Sequence, residues 1–442
     1  MNNIKQKYNP YTLSDVANNE WRDFALYTIE SRAIPNMIDG LKPSQRMYLY
    51  SSIVNSSKEF KKVSAIAGIV SDYGYNHGEQ SVASTGQLMA ADWNNNLCLV
   101  EGRGSFGTRL IQEPGAPRYV YTKVHNNFNK YIRDIDLSPE HPDPEHMPPQ
   151  YYIPVIPLVL VNGVKGVAVA FATNILPRKV DDVKKACSEY IKSGKIKSKL
   201  PISFPQFNGT VDYDINTNKY SCKGVFTRQG KSKIKITDIP YGYDRETYIK
   251  ILDNLEYAGE IVSYEDKCSS KGFEFEIKLK QQNSDWDNDK IIKEFKLSKS
   301  YTENITVINY DGKLKEYTDE RELIKDFCNF RLTVLKNRID KNILKFTEES
   351  RWLTVKMQFI MGVLNNKIVF KNNKKDVVVE QISKHTASIQ DDYDRLLRIN
   401  MLSLTLEQVD QLKKQIEECQ NEIKFWTSTT PKDQFITDLS EI

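Results

Sequence analysis

The sequence predicts an α+β, multidomain chain, and three observations carry that expectation. Apolar residues recur at helical spacing near the start; residues 151 to about 312 are rich in β-branched residues and glycine; and the last third returns to spacings of three and four. At 442 residues the chain has room for two to four domains and more than one core. The composition changes place boundaries at 1–30, 31–150, 151–317 and 318–442.

Each element has its own signal. In SDVANNEWRDFALYTIE, Ser14 is an N-cap candidate and Trp21, Phe24, Ala25 and Ile29 fall on one helical face. Residues 31–150 alternate short helices with turns. The tract SPEHPDPEHMPPQYY reads as a linker or a surface strap. Strand-like pieces follow at GVFTRQ, KIKITDI, FEFEIKL and NITVINY. Leu332, Leu335, Ile339, Ile343 and Phe346 then share a helical face, as do Val409, Leu412, Ile416, Cys419, Ile423 and Trp426. Two such helices around a short insert fit an antiparallel coiled-coil arm with a small head, and they fit two ordinary core helices equally well.

Composition excludes several classes. Charged residues at 27% and hydrophobic ones at 40% are ordinary for a soluble protein, and a formal charge of +4 does not by itself announce nucleic acid. Local charge says more, with SRAIPNMIDGLKPSQR and KEFKK both basic. Six scattered cysteines without CxxC pairs suggest neither a zinc site nor a disulfide framework. The N-terminus has no apolar core of signal-peptide length and IPVIPLVLV is too short to span a bilayer. No membrane role and a cytoplasmic location are expected.

The stretch EGRGSFGTRLIQEPGAPRYVYTKV contains Gly102-x-Gly104-x-x-Gly107 after an apolar run, as a dinucleotide-binding turn would. That turn must open a helix, and Pro114, Gly115 and Pro117 forbid a long one. The stretch reads instead as a cationic loop carrying Arg103, Arg109 and Arg118 into a short strand. There Val120 and Val124 share one face, and Tyr119, Tyr121 and Lys123 the other. A phenol of ordinary pKa about 10 is a poor nucleophile unless cations stabilise the phenolate. Arg118 beside Tyr119 offers such a cation, and a guanidinium also matches the charge that grows on phosphoryl oxygens. With 24 tyrosines in the chain, an amphipathic surface tyrosine is the plainer alternative.

Further along the basic segment, Lys42 and Arg46 lie four apart, Arg32 precedes them, and Pro43 can start a helix whose first turn faces an anion. YGYNHGEQS offers His77 as a phosphate donor or proton carrier. Asp285-x-Asp287-x-Asp289 begins like a calcium loop, but Lys290 and Lys296 stand where glycine and glutamate are needed, so an exposed turn is expected. The chain contains no P-loop, HExxH or GxSxG.

Taken together, IPNMIDGLKPSQR, YGYNHGEQS, GSFGTR with APRYVYT, and IPLVLVNGVKGVAVAFATNI resemble, in order and spacing, the breakage-reunion subunit of type IIA DNA topoisomerases. The likeness runs on through DIPYGYDRETY and YDRLLRINMLSLT to the C-terminus, and a short phage-type subunit fits best. The resemblance implies an N-terminal helical arm (1–30), a winged-helix DNA-cleavage domain (31–150), a mixed α/β tower or shoulder domain (151–317) and a coiled-coil arm with a helical dimerisation head (318–442). It implies that Tyr119 becomes linked to a DNA 5′ phosphate with Arg118 as transition-state partner. Arg32, Lys42, Arg46 and His77 fall on phosphate-contacting positions, and the loop cations Arg103, Arg109 and Lys123 are expected on DNA as well. Val167 falls where the family usually wedges isoleucine between base pairs, and Asn76 stands where some relatives have a second histidine.

The resemblance further implies ATP and Mg2+ held mainly by a partner subunit, no metal site on this chain, and action inside a phage-infected bacterial cell. Homodimerisation is expected through the head, around Ile360, Met361, Val363, Leu364, Leu396, Leu397, Ile399, Met401 and Leu402. A non-catalytic DNA-binding protein of the same fold is the competing class. A dehydrogenase would bind NAD and ignore DNA.

Overall fold

The computed structural model describes residues 12–442 and leaves the side chain of Met401 undescribed. The chain parts into two units, one running to Phe330 and rejoined by Asp438–Ile442, the other Arg331–Thr437. Helices and small antiparallel sheets alternate along it, as expected of a mixed α+β chain.

The first unit opens on a helical segment, Leu13–Val16, Ala17–Trp21, Arg22–Thr28 and Ile29–Ala33, with two π-helical stretches. Its cap is Thr12 rather than Ser14: Asp15 N–H donates to the Thr12 hydroxyl, and the Asp15 carboxylate accepts from Thr12 N–H. Of the expected apolar face, only Ala25 and Ile29 are buried, while Trp21 and Phe24 are exposed. Residues 1–11 of the expected arm lie outside the described residues.

Next come α1 (Pro43–Asn55), β1 (Lys61–Lys62), α2 (Val63–Gly68), α3 (Glu79–Ala90), β2 (Val100–Arg103) and β3 (Tyr121–Val124). Pro43 occupies the first turn of α1, where its missing N–H costs nothing. The three strands form one antiparallel sheet, ordered β1-β3-β2, with Val100 opposite Val124 and Arg103 opposite Tyr121. Val120, Thr122 and Val124 are buried beneath it. The proline-rich tract is a strap, with Met147 N–H on Tyr73 O at 3.2 Å and Tyr151 and Tyr152 buried.

A hairpin, β4 (Val164–Val167) and β5 (Ala172–Ile175), leads to α4 (Val180–Ser193). Then follow β6 (Thr210–Asp214), β7 (Lys219–Lys223), β8 (Val225–Gln229), β9 (Lys233–Asp238), α5 (Arg245–Tyr257), β10 (Ile261–Asp266) and β11 (Phe275–Leu279). The sheet β10-β11-β9-β8 buries Ile234, Ile236, Phe275 and Ile277 against Tyr248 and Leu252 of α5. Alternate residues point inward because side chains alternate across a strand. The expected calcium-like turn is the start of a helix, Asn288–Glu294, capped by Asp287 accepting from Lys290 N–H at 2.7 Å.

The helix α6 (Glu320–Leu364) has 45 residues and continues into the second unit. There it is joined by α7 (Lys375–His385) and α8 (Leu406–Ser428). Val409 and Leu412 of α8 share a core with Val355, Phe359 and Ile360 of α6, Val378 and Ile382 of α7, and Leu396. Two residues of the expected dimer surface are corrected: Ile360 and Leu396 are fully buried in this unit's own core, while Val363, Leu364, Leu397 and Ile399 are partly buried against it. Met361 and Leu402 remain exposed, Leu402 at 85%.

Candidate nucleic-acid cleavage site

Tyr119 sits on the turn that enters β3, not within the strand, with its N–H on Ala116 O at 2.8 Å. Its side chain is 67% exposed, and the Arg118 guanidinium lies 4.8 Å from the ring centroid. The turn is held from both sides by the first amides of α2, because Val63 N–H donates to Val120 O and Ser64 N–H to Pro117 O, at 3.0 and 3.2 Å. Gly115 N–H donates to Ser105 O at 2.9 Å and the Gln87 amide to Gly115 O at 2.5 Å. The glycines answer a packing need: a Cβ on Gly102 would lie 2.5 Å from the Phe106 ring, and one on Gly104, whose φ is +114°, 3.1 Å from Val120. No helix follows Gly107, so the phosphate-binding turn of a dinucleotide fold is not formed. The arrangement presents a phenol with a cation on its face, from a turn whose backbone has little freedom.

Around the sheet, Lys123 pairs with Glu101 at 3.2 Å and lies 4.8 Å from the Phe60 ring centroid, with Arg103 5.9 Å from the same ring. Arg103 remains exposed. Arg32, Lys42 and His77 line a single cleft of about 400 Å³ with Tyr75 and with Ser81 and Thr85 of α3. The same helix carries Gln87, so one rigid element serves the cleft and the tyrosine's loop. His77 Nε2 and Tyr27 Oη are 2.9 Å apart. Lys42 Nζ donates to Lys165 O at 2.6 Å, and burial pushes its ammonium below the ordinary lysine value. This bond reaches β4, where Val167 stands 77% exposed beside the hairpin tip. The hairpin also approaches the helix end that bears Arg32: a Cβ on Gly166 would lie 2.1 Å from Ala33 O.

Two of the expected phosphate contacts are ion-paired within the fold. Arg46 is buried and donates to both Asp39 carboxylate oxygens at 2.7 and 2.9 Å and to Leu41 O at 2.9 Å. Arg109 is buried against Asp238 at 2.8 Å. Most donors of both guanidinia are thus spent on acceptors within the fold. Sequence reasoning also missed Tyr27, Phe60, Gln87 and Lys165. Phe60 lay in view inside KEFKK, whereas Tyr27 stands 50 positions from His77 with no local sign of their meeting.

The family model of the DNA gyrase/topoisomerase IV A-subunit matches residues 32–441. The chain belongs to this family. It is 38% identical over 440 residues to the DNA topoisomerase medium subunit of Enterobacteria phage T4, covering 97% of this chain and 98% of that one. It is 28% identical over 491 residues to DNA topoisomerase 2 of Plasmodium falciparum, covering 99% of this chain but 35% of the relative. It therefore spans about a third of that longer relative's length. Among solved structures, the DNA-binding, cleavage and re-ligation domain of Plasmodium falciparum topoisomerase II matches with a TM-score of 0.85 at 27% identity, over 97% of this chain and 63% of that one.

Family membership implies Mg2+ and ATP in the working complex. Magnesium demands several oxygen ligands in octahedral array. Among the described residues no three His, Cys, Asp or Glu side chains are grouped as a metal site. Glu101, a carboxylate on the tyrosine's sheet, is paired with Lys123. No step is derived through the metal. Among the described residues, no helix is long and apolar enough to cross a membrane.

Proposed function

We propose that this chain is the DNA-cleaving and rejoining subunit of an ATP-dependent type II DNA topoisomerase. Tyr119 Oη attacks the phosphorus of a DNA phosphodiester, forming a 5′-phosphotyrosyl bond and releasing the 3′ hydroxyl, to which the phenol's proton is ultimately lost. The 3′ hydroxyl later attacks the same phosphorus, breaking its bond to Tyr119 Oη; the phenol regains a proton and the strand is restored. Arg118 stabilises charge on the phenolate and on the phosphoryl oxygens. Arg32, Lys42 and His77 bind backbone phosphates from their shared cleft, with Arg103 and Lys123 extending the contact along the sheet. Arg46 and Arg109 act from within the fold. Val167 wedges a base step open, with one methylene less than isoleucine would supply.

In this reading residues 31–150 are a winged-helix cleavage domain, 151–317 a tower, and 318–442 an arm with a dimerising head. A single Tyr119 cuts one strand, so two copies related by a twofold axis supply the double-strand break through which a second duplex passes. Partner chains hold the ATP and the Mg2+, and the complex works in the cytoplasm of a phage-infected bacterium. The observation that carries the proposal is the exposed Tyr119 under the Arg118 guanidinium, on a turn fixed by Val63 and Ser64.

The test mixes the chain with the products of neighbouring genes, end-labelled duplex DNA and magnesium, then denatures. Protein linked to 5′ ends, with free 3′ hydroxyls, is expected. DNA retained only by non-covalent binding would make the chain an architectural protein instead.

A further inference from the structure

Arg109 stands at the centre of a buried joint between the loop that carries Tyr119 and the sheet β8–β11. We infer that Arg109 is a positioning residue: its ion pair with Asp238 fixes the path of residues 104–117 and thereby the place of Tyr119 against the phosphate. This rests on the reading of Tyr119 as the nucleophile.

The loop between β2 and β3 would wander if left alone, since Gly104 and Gly107 take φ of +114° and +80°. Apart from the Val63 and Ser64 amides at the tyrosine's turn, three holds fix it. The Trp93 indole donates to Phe106 O at 3.0 Å, and Gly115 is bound by Ser105 and Gln87. The third hold is Arg109, whose Nη1 donates to Asp238 at 2.8 and 3.1 Å and to Gln206 O at 2.9 Å, while Nη2 donates to Ile239 O at 3.0 Å. Asp238 also accepts from the N–H groups of Asn208 and Ile239, at 2.9 and 2.8 Å. The rings of Phe207, Tyr241 and Phe273 surround the guanidinium with centroids at 5.3, 5.7 and 5.2 Å. Beside it, Arg245 N–H donates to Leu110 O at 3.0 Å. The Tyr241 hydroxyl reaches back to Trp93 O at 3.3 Å, which closes the chain of contacts on the first hold.

Such a socket suits a planar fork with donors in several directions, and an ammonium cannot fill it. Four residues beyond Gly115, the phenol inherits any displacement of the loop. Attack at phosphorus needs the oxygen close and in line, so an error of one ångström matters.

The experiment uses the complex reconstituted with its partner subunits, and measures single-turnover cleavage against DNA concentration. Arg109→Ala is expected to lower the saturating cleavage rate about 100-fold and Arg109→Lys about 10-fold, with half-saturating DNA changed less than about threefold. Asp238→Asn, nearly the same size, is expected to show the same split with a smaller loss, and serves if Arg109→Ala does not fold. Ile277→Ala opens a cavity in the core of the same sheet and removes no partner of the ion pair; it should melt earlier and cleave as the unaltered chain does. The inference is overturned if affinity falls in step with cleavage, or if Ile277→Ala loses cleavage as Arg109→Ala does. Normal cleavage by both Arg109→Ala and Asp238→Asn sinks it while leaving the Tyr119 reading intact. An unaltered complex that forms no covalent DNA ends that reading and the inference together.

Discussion

Replacing Arg46 with alanine separates two roles that the basic segment allows. If Arg46 bound a phosphate, its loss would weaken DNA affinity and lower the slope of log Kobs against log salt by about one, at unchanged stability. The structure argues for a different outcome. Arg46 and Asp39 have side chains 8% and 0% exposed, and the carboxylate keeps only the N–H groups of Leu41 and Tyr152, at 3.0 and 3.1 Å, once the guanidinium is gone. Stranding a buried carboxylate by removing its partner costs about 3–5 kcal/mol. Against a total of about 5–15 kcal/mol for a typical domain, that is a large share. Urea unfolding of Arg46→Ala should therefore show a midpoint well below that of the unaltered chain, with the slope of free energy against urea unchanged. Arg32→Ala should leave the midpoint alone and lower the salt slope. Arg46→Ala with an unmoved midpoint and a reduced salt slope would refute this account of the residue.

Four further outcomes follow. Val167→Ala, at an exposed hairpin position, should reduce DNA bending, read by energy transfer on end-labelled duplex, at about 1 kcal/mol or more per lost apolar contact and with no change in melting. Burial and the neighbouring His141 and Arg46 push the His146 imidazole down to about 4, so the unfolded chain takes up the extra proton between there and about 6.5. Stability from this group is complete above that window and is lost as pH falls through it, and His146→Gln should flatten the fall in urea midpoint between pH 7 and 4.5. Leu402→Glu should weaken self-association in sedimentation without lowering the head's melting temperature, whereas Leu396→Ala should cost about 2–5 kcal/mol of head stability. Gly107→Ala should slow cleavage, measured in single turnover, because a Cβ there lies 2.8 Å from Gln112 O at a φ of +80°.

Periodicity made the helices and strands legible. The stripe from Val409 to Trp426 lies on one helix, α8, and Val120 and Val124 share the buried face of their sheet. Pro43 marked the start of α1 correctly, because a fixed φ and a missing N–H suit only the first turn. Long-range partners were not legible. Nothing near Arg46 or Arg109 in the sequence distinguishes a cation that faces water from one that faces Asp39 or Asp238, and the second partner lies 129 positions away. The head misled for a related reason: Ile360 and Leu396 are apolar whether they cover a partner or each other, and only packing tells which. Trp21 and Phe24 failed in the opposite sense, as a helical face that this chain leaves exposed.

The central claim is that Tyr119 carries the covalent chemistry. The most direct measurement is covalent capture of 5′ ends by Tyr119→Phe and Tyr121→Phe complexes, with DNA affinity measured in parallel. Tyr121 is the control because it lies in β3 opposite Arg103, two positions from the turn. The account predicts that Tyr119→Phe binds DNA as before and captures none of it, while Tyr121→Phe still forms the adduct. Capture by Tyr119→Phe together with its loss in Tyr121→Phe would contradict the account.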